Sequence, residues 1–286
     1  MSGRPTSTAA ANQQIIAAGC YRAPSGATVR LAAQVAAACQ GTVSYTPAQT
    51  ADLLAAWLRA RDPRRADTLI EVTGESSMDA ARRLVDAPGL GPGPLAVLNF
   101  ASARNAGGGY LSGARAQEED LCRVSALYTT LLRAPDYYAA HRASFDTFYS
   151  HRVIYSPDVP VFRDEHHALL EEPYPVSFLT SPAPNTGAVD RDKRHLAPAV
   201  LAERAARVLA VAAHHDQRRL VLGAWGCGVF RNDPAVVAAA FRDLLTGRGR
   251  FAGAFEHVVF AVLDRGSGRQ NLAAFRAAFA EHASAG

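Results

Sequence analysis

The 286-residue chain lacks any apolar run near the roughly 20 residues that a membrane-spanning helix needs. It also lacks the low hydrophobicity and the low complexity of disordered proteins, because 49% of its residues are hydrophobic and 20% are charged. No internal repeat is apparent. We therefore expect a soluble globular protein, built as one large domain or two small ones.

Cysteine is scarce, and the four cysteines, at positions 20, 39, 122 and 227, are far apart. This spacing provides neither a CxxC zinc site nor a dense disulfide framework, so we expect a reduced, cytoplasmic setting. The chain has no HExxH motif, and the histidine pairs at 166–167 and 214–215 are typical of a solvated surface. We therefore predict no metal site and no cofactor.

Charge of one sign is only slightly in excess, because 30 Lys and Arg residues against 26 Asp and Glu residues give a net charge of +4. This balance suits a phosphate-bearing ligand without requiring nucleic acid. The arginine-rich stretches at 59–65, 191–194 and 248–250 are short enough to be solvated surface, or they can attract the phosphates of a polyanion. No specific nucleic-acid partner is expected.

The N-terminal section is predicted to be a frayed tail over residues 1–11, followed by a helical section. Its clearest helix begins after Thr46, which can cap a helix whose first residue is Pro47. Apolar side chains recur on one face of that helix until Pro63 ends it.

Short β-type runs alternate with helical patterns from about residue 67 to the C terminus. The predicted strands are 68–72, 95–100, 152–156, 176–180, 219–223 and 257–263, and the predicted helices are 77–86, 117–133, 197–214, 234–245 and 269–282. This alternation predicts a layered α/β domain. Near-continuous apolar strands predict a mostly parallel sheet that is covered on both faces, with ligands at the carboxyl ends of its strands.

Two of the predicted strands end in glycine-rich loops, 99–113 and 223–232, which makes these loops the candidate site. The first loop contains three consecutive glycines at 107–109, and the motif Gln-Glu-Glu follows at 117–119, where a helical pattern begins. Consecutive glycines let the backbone approach a ligand, and the free N–H groups of the loop and of a helix N terminus can bind phosphate or ribose oxygens. Alone, the acidic pair is typical of a helix cap.

These motifs, with the Asn-Phe-Ala run at 99–101, resemble the signature of bacterial-type poly(ADP-ribose) glycohydrolases, a branch of the macrodomain superfamily in which GGG precedes QEE by six to eight residues. The run Gly-Ala-Trp-Gly-Cys-Gly-Val-Phe-Arg-Asn at 223–232 resembles the diphosphate-binding loop of the same family. One departure is Ala106, where many macrodomains have proline, and it removes no functional group. The resemblance extends from about Asp67 to the C terminus.

The resemblance implies an α/β fold, a three-layer α/β/α macrodomain with a mixed, mostly parallel central sheet. Residues 1–66 would form an N-terminal helical extension packed on the core, as in this family, and residues 67–286 the catalytic domain. The implied activity is hydrolysis of the ribose-ribose O-glycosidic bonds of poly(ADP-ribose), which releases ADP-ribose and reverses ADP-ribosylation, a modification of the DNA damage response. ADP-ribosylated proteins would be the partners of a cytoplasmic, monomeric enzyme without membrane contact.

The resemblance also implies residue roles. Glu119 would be the catalytic acid/base, Glu118 would fix ribose hydroxyls, and Phe230 would stack on the adenine. The other residues assigned to substrate binding surround the distal ribose or the diphosphate: Asn99, Ala101, Asn105, Gly107, Gly108, Gly109, Gln117, Gly226, Cys227, Gly228 and Val229.

The spacing of the two glutamates constrains the chemistry. Adjacent helical residues point about 100° apart, so Glu118 and Glu119 cannot flank one glycosidic bond as an ordinary glycosidase pair does. One carboxyl group must then both protonate the leaving oxygen and activate the attacking water. A helix N terminus lowers the pKa of a carboxyl group, whereas a neighbouring charge, substrate phosphates and exclusion of water raise it. The sequence leaves this balance open.

Two alternatives remain on the same scaffold: a macrodomain that binds ADP-ribose without cleaving it, and a hydrolase of mono-ADP-ribose. Two carboxylates beside an anionic ligand argue against a pure binding module, because their repulsion costs affinity. Cys227 lies in an elbow-like turn, but the GxCxG frame would need glycine where Trp225 stands, which favours a structural role. The aromatic residues at 137–138 and 145–149 are predicted to be core or lid residues rather than a base-stacking platform.

Overall fold

A computed structural model of the chain describes residues 5–60, 67–87, 93–264 and 269–281. Its helices are α1 Pro5–Ala18, α2 Ala32–Gly41, α3 Pro47–Ala60, α4 Ser77–Asp86, α5 Gln117–Val124, α6 Leu127–Leu131, α7 Pro135–Arg142, α8 Ala197–His214, α9 Pro234–Leu245 and α10 Gln270–Ala278. Its strands are β1 Cys20–Arg22, β2 Thr28–Arg30, β3 Val43–Tyr45, β4 Leu69–Thr73, β5 Leu95–Phe100, β6 Val153–Arg163, β7 Leu169–Ser181, β8 Arg219–Leu222 and β9 His257–Ala261. Within these ranges, no helix has both the length and the apolarity to cross a membrane.

Seven of the described strands form the central sheet, in the order β3-β6-β7-β5-β8-β9-β4. The five strands from β7 to β4 run parallel, and β6 and β3 are added antiparallel at one edge. Strand β5 therefore lies in the middle, and its last residues, Asn99 and Phe100, pair with Thr180 and Ser181 at the end of β7. The predicted mixed, mostly parallel sheet is confirmed.

Helices cover both faces of this sheet because its strands bury side chains on both sides. In β5, Ala96 and Leu98 contribute to one core cluster, which includes side chains of α3, α8, α9 and α10. Leu95 and Val97 contribute to the other, which includes side chains of α1, α2, α4, α5, α6 and α7. The result is the expected three-layer α/β/α arrangement, with the carboxyl ends of β5 and β8 at one edge.

Local sequence signals predict the bounds of three helices. Helices α4, α8 and α9 have the predicted bounds. Helix α9 begins because the Asp233 carboxylate accepts the Ala235 N–H at 2.8 Å, and α4 begins at a capping box formed by Ser76 and Asp79.

The single helix predicted over 117–133 is wrong, because it breaks into α5 and α6 at Ser125. The Ser125 backbone is extended (φ −138°, ψ 176°) and bridges to Val161 of β6. Its hydroxyl donates to the Leu121 carbonyl at 2.7 Å and accepts the Leu127 N–H at 3.2 Å. The serine thus ends one helix and positions the next, and a strand distant in sequence holds it extended.

Two further predictions are corrected by tertiary packing. Residues 5–11, expected in the tail, belong to α1, because Ala9 and Asn12 of that helix are buried against the domain. The short strands predicted at 152–156 and 176–180 are parts of the long antiparallel pair β6 and β7. Four prolines in these strands, at 157, 160, 173 and 175, concealed their true length, since proline usually argues against a central strand.

The N-terminal section differs from a purely helical extension, because it also contains β1, β2 and β3. Strand β3 pairs with β6 and becomes the edge of the central sheet, while α3 packs on α8. The predicted boundary between residues 66 and 67 falls beside 61–66, which lies outside the described residues. Parts of the arginine-rich stretch 59–65 and of the predicted tail 1–11 also lie outside them.

Asn12 ties helix α1 to helix α5. Its side chain is fully buried, and its amide nitrogen donates to the carbonyl oxygens of Arg123 at 2.8 Å and Cys122 at 3.4 Å. Its amide oxygen accepts a hydrogen bond from Nε of Arg163 in β6 at 2.7 Å. The last carbonyls of a helix have no partner within the helix, so Asn12 satisfies groups that would otherwise be buried unpaired.

Asn12→Ala is expected to lower the free energy of unfolding by about 1–3 kcal/mol, because it leaves buried carbonyl groups and a buried guanidinium nitrogen without this partner. Urea denaturation followed by circular dichroism measures this change. Gln14→Ala, at an exposed position on the same helix, is the control and should change stability by less than about 0.5 kcal/mol. Equal stability of the two variants would contradict the assigned role of Asn12.

Candidate active site

Gln117 fixes the start of α5 against the end of β5. Its amide nitrogen donates to the Leu98 carbonyl at 2.8 Å and to the Ser77 hydroxyl at 3.1 Å, and its amide oxygen accepts the Phe100 N–H at 2.9 Å. Both ends of the side chain are therefore engaged within the protein. Gln117, expected to bind substrate, is placed as the link that sets the position of the two residues after it.

Glu118 is buried, with 3% of its surface exposed. One carboxyl oxygen accepts the Ser102 N–H at 2.7 Å, and the other accepts a hydrogen bond from the Asn99 amide at 3.3 Å. Burial raises the pKa of Glu118 from its usual 4.5 to about 8, against the opposing effect of those hydrogen bonds and with a contribution from the charge of Glu119. Glu118 therefore holds a proton at neutral pH.

Glu119 joins the glycine loop to the start of α5. One carboxylate oxygen accepts the Gly109 N–H at 2.7 Å, and the other accepts the Ala116 N–H at 3.0 Å. The second bond caps the helix, so the Glu119 side chain both caps α5 and lies in the candidate site.

The loop at Gly108 brings the two carboxyl groups to one place. Gly108 has φ +57°, and a Cβ atom there would lie 2.4 Å from Oε1 of Glu119 and 3.0 Å from Oε2 of Glu118. Only glycine fits this combination of a left-handed backbone and close carboxyl oxygens. Gly107 is also left-handed, with φ +67°.

The other residues expected around the ribose differ in their exposure. Asn99 is fully buried and donates to Glu118 and, at 3.2 Å, to the Thr180 hydroxyl, while its amide oxygen has no hydrogen-bond partner among the described residues. Ala101 is also fully buried, and its N–H donates to the Ser181 carbonyl. Asn105 is exposed at the surface of the loop, where its carbonyl accepts the Gly108 N–H. Asn99 thus acts on Glu118, and Asn105 faces outward.

The second glycine-rich loop has a fixed base and an open tip. At its base, the Asn232 amide donates to the carbonyls of Pro184 and Gly226 and accepts from the Thr186 hydroxyl at 2.6 Å. At its tip, a Cβ atom on Gly228 would have no neighbour within 4 Å, and Val229 is 83% exposed.

Free backbone donors line this loop. At its tip, within the described part of the chain, the N–H groups of Gly226, Gly228, Val229 and Phe230 donate no hydrogen bond. Successive unpaired N–H groups in such a turn bind anions, and helix α9 begins shortly afterwards. The loop is therefore suited to a diphosphate.

Phe230 lies beside an aromatic residue that sequence analysis placed only in the core or a lid. The ring of Tyr149 is 5.8 Å from that of Phe230 and tilted to it. Phe230 is half-buried and also contacts the hydrophobic core. Tyr149 has φ +60°, which is rare for a tyrosine, so its loop is held by other contacts.

A buried arginine holds that loop. Arg204 of α8 is fully buried, and it donates to the carbonyls of Phe148 at 2.7 Å, Tyr149 at 3.1 Å and Pro182 at 2.8 Å. Burial lowers the pKa of Arg204 to about 10, so the side chain remains charged at neutral pH. No signal in the sequence could identify this residue, because an arginine in an amphipathic helix normally faces solvent and its partners here are carbonyls of distant loops.

Two other interpretations, a nucleophilic cysteine and a metal site at the histidine pairs, receive no support from the described residues. Burial, assisted by the charge of Asp233, raises the pKa of the Cys227 thiol to about 12, so little thiolate exists at neutral pH. The ring of His215 stacks on Tyr155 with centroids 3.6 Å apart, which makes it a packing residue rather than the solvated one expected. Among the described residues, no group of three metal-ligating side chains comes together.

The family model and the solved structures that match this chain belong to the same protein family. Residues 9–164 match the family model described as the catalytic domain of microbial-type PARG. The fold matches the crystal structure of poly(ADP-ribose) glycohydrolase from Thermomonospora curvata with a TM-score of 0.91 and 52% identity, over 96% of this chain and 99% of that one. The structure of the T. curvata protein bound to the inhibitor ADP-HPD matches with a TM-score of 0.88 and 51% identity, over 96% and 98% of the chains.

A relative from another organism is also similar. The poly(ADP-ribose) glycohydrolase of Deinococcus radiodurans in complex with ADP-ribose matches with a TM-score of 0.81 and 51% identity, over 88% of this chain and 99% of that one. No curated protein matches the sequence.

The two glycine loops permit a paired test. Gly108→Ala is expected to displace both carboxyl groups and to destabilise the protein, because its Cβ would be 2.4 Å from Glu119 in a left-handed backbone. Gly228→Ala should leave the melting temperature unchanged, because that position is open, but should weaken ADP-ribose binding where the loop receives the diphosphate. Thermal melting and calorimetric titration of both variants check this; a stable Gly108→Ala protein with normal binding would contradict the geometry.

The proton on Glu118 makes stability depend on pH. Since the folded-state pKa of about 8 lies above the usual 4.5, the stabilisation is complete below the unfolded-state value and is lost as pH rises through 8. The stability of the wild type relative to Glu118→Gln should therefore fall by up to about 1.4 kcal/mol per pH unit between about pH 5 and 8. Urea titrations at several pH values measure it, with Glu172→Gln as an exposed control. A pH-independent difference would mean that Glu118 is ionised throughout.

Proposed function

The chain belongs to the microbial-type poly(ADP-ribose) glycohydrolase family, and from this premise we propose how its residues act. It is a glycoside hydrolase that cleaves ribose-ribose O-glycosidic bonds of poly(ADP-ribose) and releases ADP-ribose. The observation that carries the mechanism is the pair of carboxyl groups gathered around Gly108, of which the buried Glu118 has a raised pKa.

We propose that the terminal ADP-ribose unit of the polymer lies between the two glycine loops. The unpaired N–H groups of Gly226, Gly228, Val229 and Phe230 receive its diphosphate, and the Phe230 and Tyr149 rings receive its adenine. The distal ribose then reaches the loop at 107–109 and the carboxyl groups behind it. Asn105, exposed on that loop, contacts the ribose, whereas Asn99 hydrogen-bonds to Glu118.

The proton on Glu118 reduces the electrostatic cost of binding. Two ionised carboxylates would repel a diphosphate, whereas burial favours the neutral form of Glu118 and so reduces that repulsion. A neutral carboxyl group can also donate a hydrogen bond to a ribose oxygen, which an ionised carboxylate cannot. We therefore assign Glu118 to positioning the distal ribose.

We assign the chemistry to Glu119. As the bond between the anomeric carbon and the leaving oxygen breaks, Glu119 transfers its proton to that oxygen and an oxocarbenium ion develops. Glu119 then accepts a proton from the water whose oxygen bonds to the anomeric carbon, which restores the acid.

We further propose the setting of the reaction. Poly(ADP-ribose) and ADP-ribosylated proteins are the substrates, including those formed in the DNA damage response, and the enzyme acts as a cytoplasmic monomer without a metal cofactor or a nucleic-acid partner. The four free thiols are compatible with a reducing compartment. Residues 1–66 act as an extension packed on the catalytic domain 67–286, which the pairing of β3 with β6 and the contacts of Asn12 support.

Glu119→Gln is expected to reduce the release of ADP-ribose from poly(ADP-ribose) by about 10²–10⁴-fold, because the amide has nearly the same size but cannot transfer a proton, and it accepts only one of the two backbone N–H groups that bind the carboxylate. Binding of ADP-ribose should be retained. Chromatographic detection of ADP-ribose, in buffer containing EDTA, measures the rate, and Glu172→Gln is the control. Mono-ADP-ribosylated protein as a second substrate separates the two hydrolase activities. A variant with more than about a tenth of wild-type activity would exclude Glu119 as the acid/base.

A further inference from the structure

Phe145 is the most exposed large hydrophobic side chain among the described residues, with 95% of its surface in contact with solvent. It lies in the loop between α7 and β6, the same loop that carries Tyr149. Single exposed apolar residues are common and require no explanation by themselves. Phe145 differs from such residues because two arginines, Arg104 and Arg142, lie beside its loop.

Arg104 and Arg142 connect the Phe145 loop to the loop after β5. Arg142 donates to the Arg104 carbonyl at 2.7 Å, and Arg104 donates to the carbonyl of Ser144, the neighbour of Phe145, at 3.4 Å. Neither guanidinium group forms an ion pair with a carboxylate in the part of the chain that the structure describes. Two cations without counter-ions thus adjoin an exposed aromatic ring.

The charges that face this cluster favour an anionic ligand. The nearest acidic residue along the loop is Asp146, whose carboxylate is engaged by the Phe148 N–H at 2.8 Å. Burial lowers the pKa of His141, which supports the loop from α7, to about 4, so this residue is uncharged at neutral pH. The cluster therefore carries a net positive charge.

The cluster adjoins the ribose side of the site. Arg104 lies two residues after Ser102, whose N–H binds Glu118 at 2.7 Å, and next to Asn105, whose carbonyl accepts the Gly108 N–H. The other half of the Phe145 loop faces away from this point, because Tyr149 contacts Phe230 and the Thr147 carbonyl accepts the Asn185 N–H. One loop thus borders both the adenine side and the ribose side.

We propose that Arg104, Arg142 and Phe145 form a subsite for the polymer unit next to the terminal one, which carries the leaving oxygen when the glycosidic bond is cleaved. This inference rests on the proposed function, in which the terminal unit occupies the loop at 226–230 and the next unit of the polymer extends past Glu119. The guanidinium groups bind the diphosphate of that next unit, and the Phe145 ring stacks on its adenine. The subsite distinguishes polymer from free ADP-ribose, which has no second unit.

Binding measurements in the Glu119→Gln background test the subsite without turnover. Phe145→Ala and Arg142→Gln should each weaken binding of poly(ADP-ribose) at least about fivefold and leave the affinity for ADP-ribose unchanged. In the otherwise wild-type enzyme, the same substitutions should raise KM for the polymer with little change in kcat. Phe145 and Arg142 are exposed, so melting temperatures should not move.

Two matched controls lie elsewhere. Arg22→Gln removes an exposed arginine that also donates to a carbonyl, that of Gly26 at 2.9 Å, and Leu132→Ala removes an exposed apolar side chain. Neither control should affect polymer binding.

Three results would overturn the subsite. These are unchanged polymer binding in both variants, an equal loss of affinity for ADP-ribose, or an equal loss of affinity for a single-stranded oligoadenylate, which would indicate a general nucleic-acid surface. Failure of the proposed function is distinct, because the wild type would then release no ADP-ribose from polymer while the binding measurements still report on the subsite.

Discussion

The bridge that Glu119 makes between the Gly109 N–H and the Ala116 N–H is the interaction on which the site depends. It closes the glycine loop onto the first turn of α5, and this closure brings the two carboxyl groups to the same backbone position. The remaining contacts serve this arrangement: Gln117 fixes the helix to β5, and Asn12 secures its other end. A short helix of eight residues is thereby held at both ends, which its own hydrogen bonds could not achieve.

Burial gives Glu118 and Glu119, two adjacent and chemically identical side chains, different roles. Glu118 has little contact with water and keeps its proton at neutral pH, so it can act as a neutral hydrogen-bonding group. Glu119 is bound at both oxygens by backbone donors that suit a carboxylate. Different surroundings can thus assign two carboxyl groups different roles, as they do in other hydrolases of glycosidic bonds.

Sequence patterns predicted the mostly parallel sheet, the bounds of three helices and the two glycine loops, because each depends on local preferences or on a motif whose spacing the chemistry demands. They failed where a distant contact decides the structure. Ser125 is extended because it bridges to Val161, and Arg204 is buried because it binds carbonyls of two loops. The contact between the Tyr149 and Phe230 rings could not be predicted from the sequence for the same reason. The family resemblance supplied the roles of Glu118 and Glu119, but the protonation of Glu118 follows from burial, which only the folded chain shows.

The central claim is that burial keeps a proton on Glu118 when substrate arrives, while Glu119 beside it bridges the Gly109 and Ala116 N–H groups. Infrared difference spectroscopy of the wild type against Glu118→Gln at neutral pH observes this directly, since a protonated carboxyl group has a carbonyl band that an ionised carboxylate lacks. The account predicts that this band is present in the wild type, is lost in Glu118→Gln and disappears as pH rises through about 8. A spectrum that shows only carboxylate bands for Glu118 at neutral pH would contradict it.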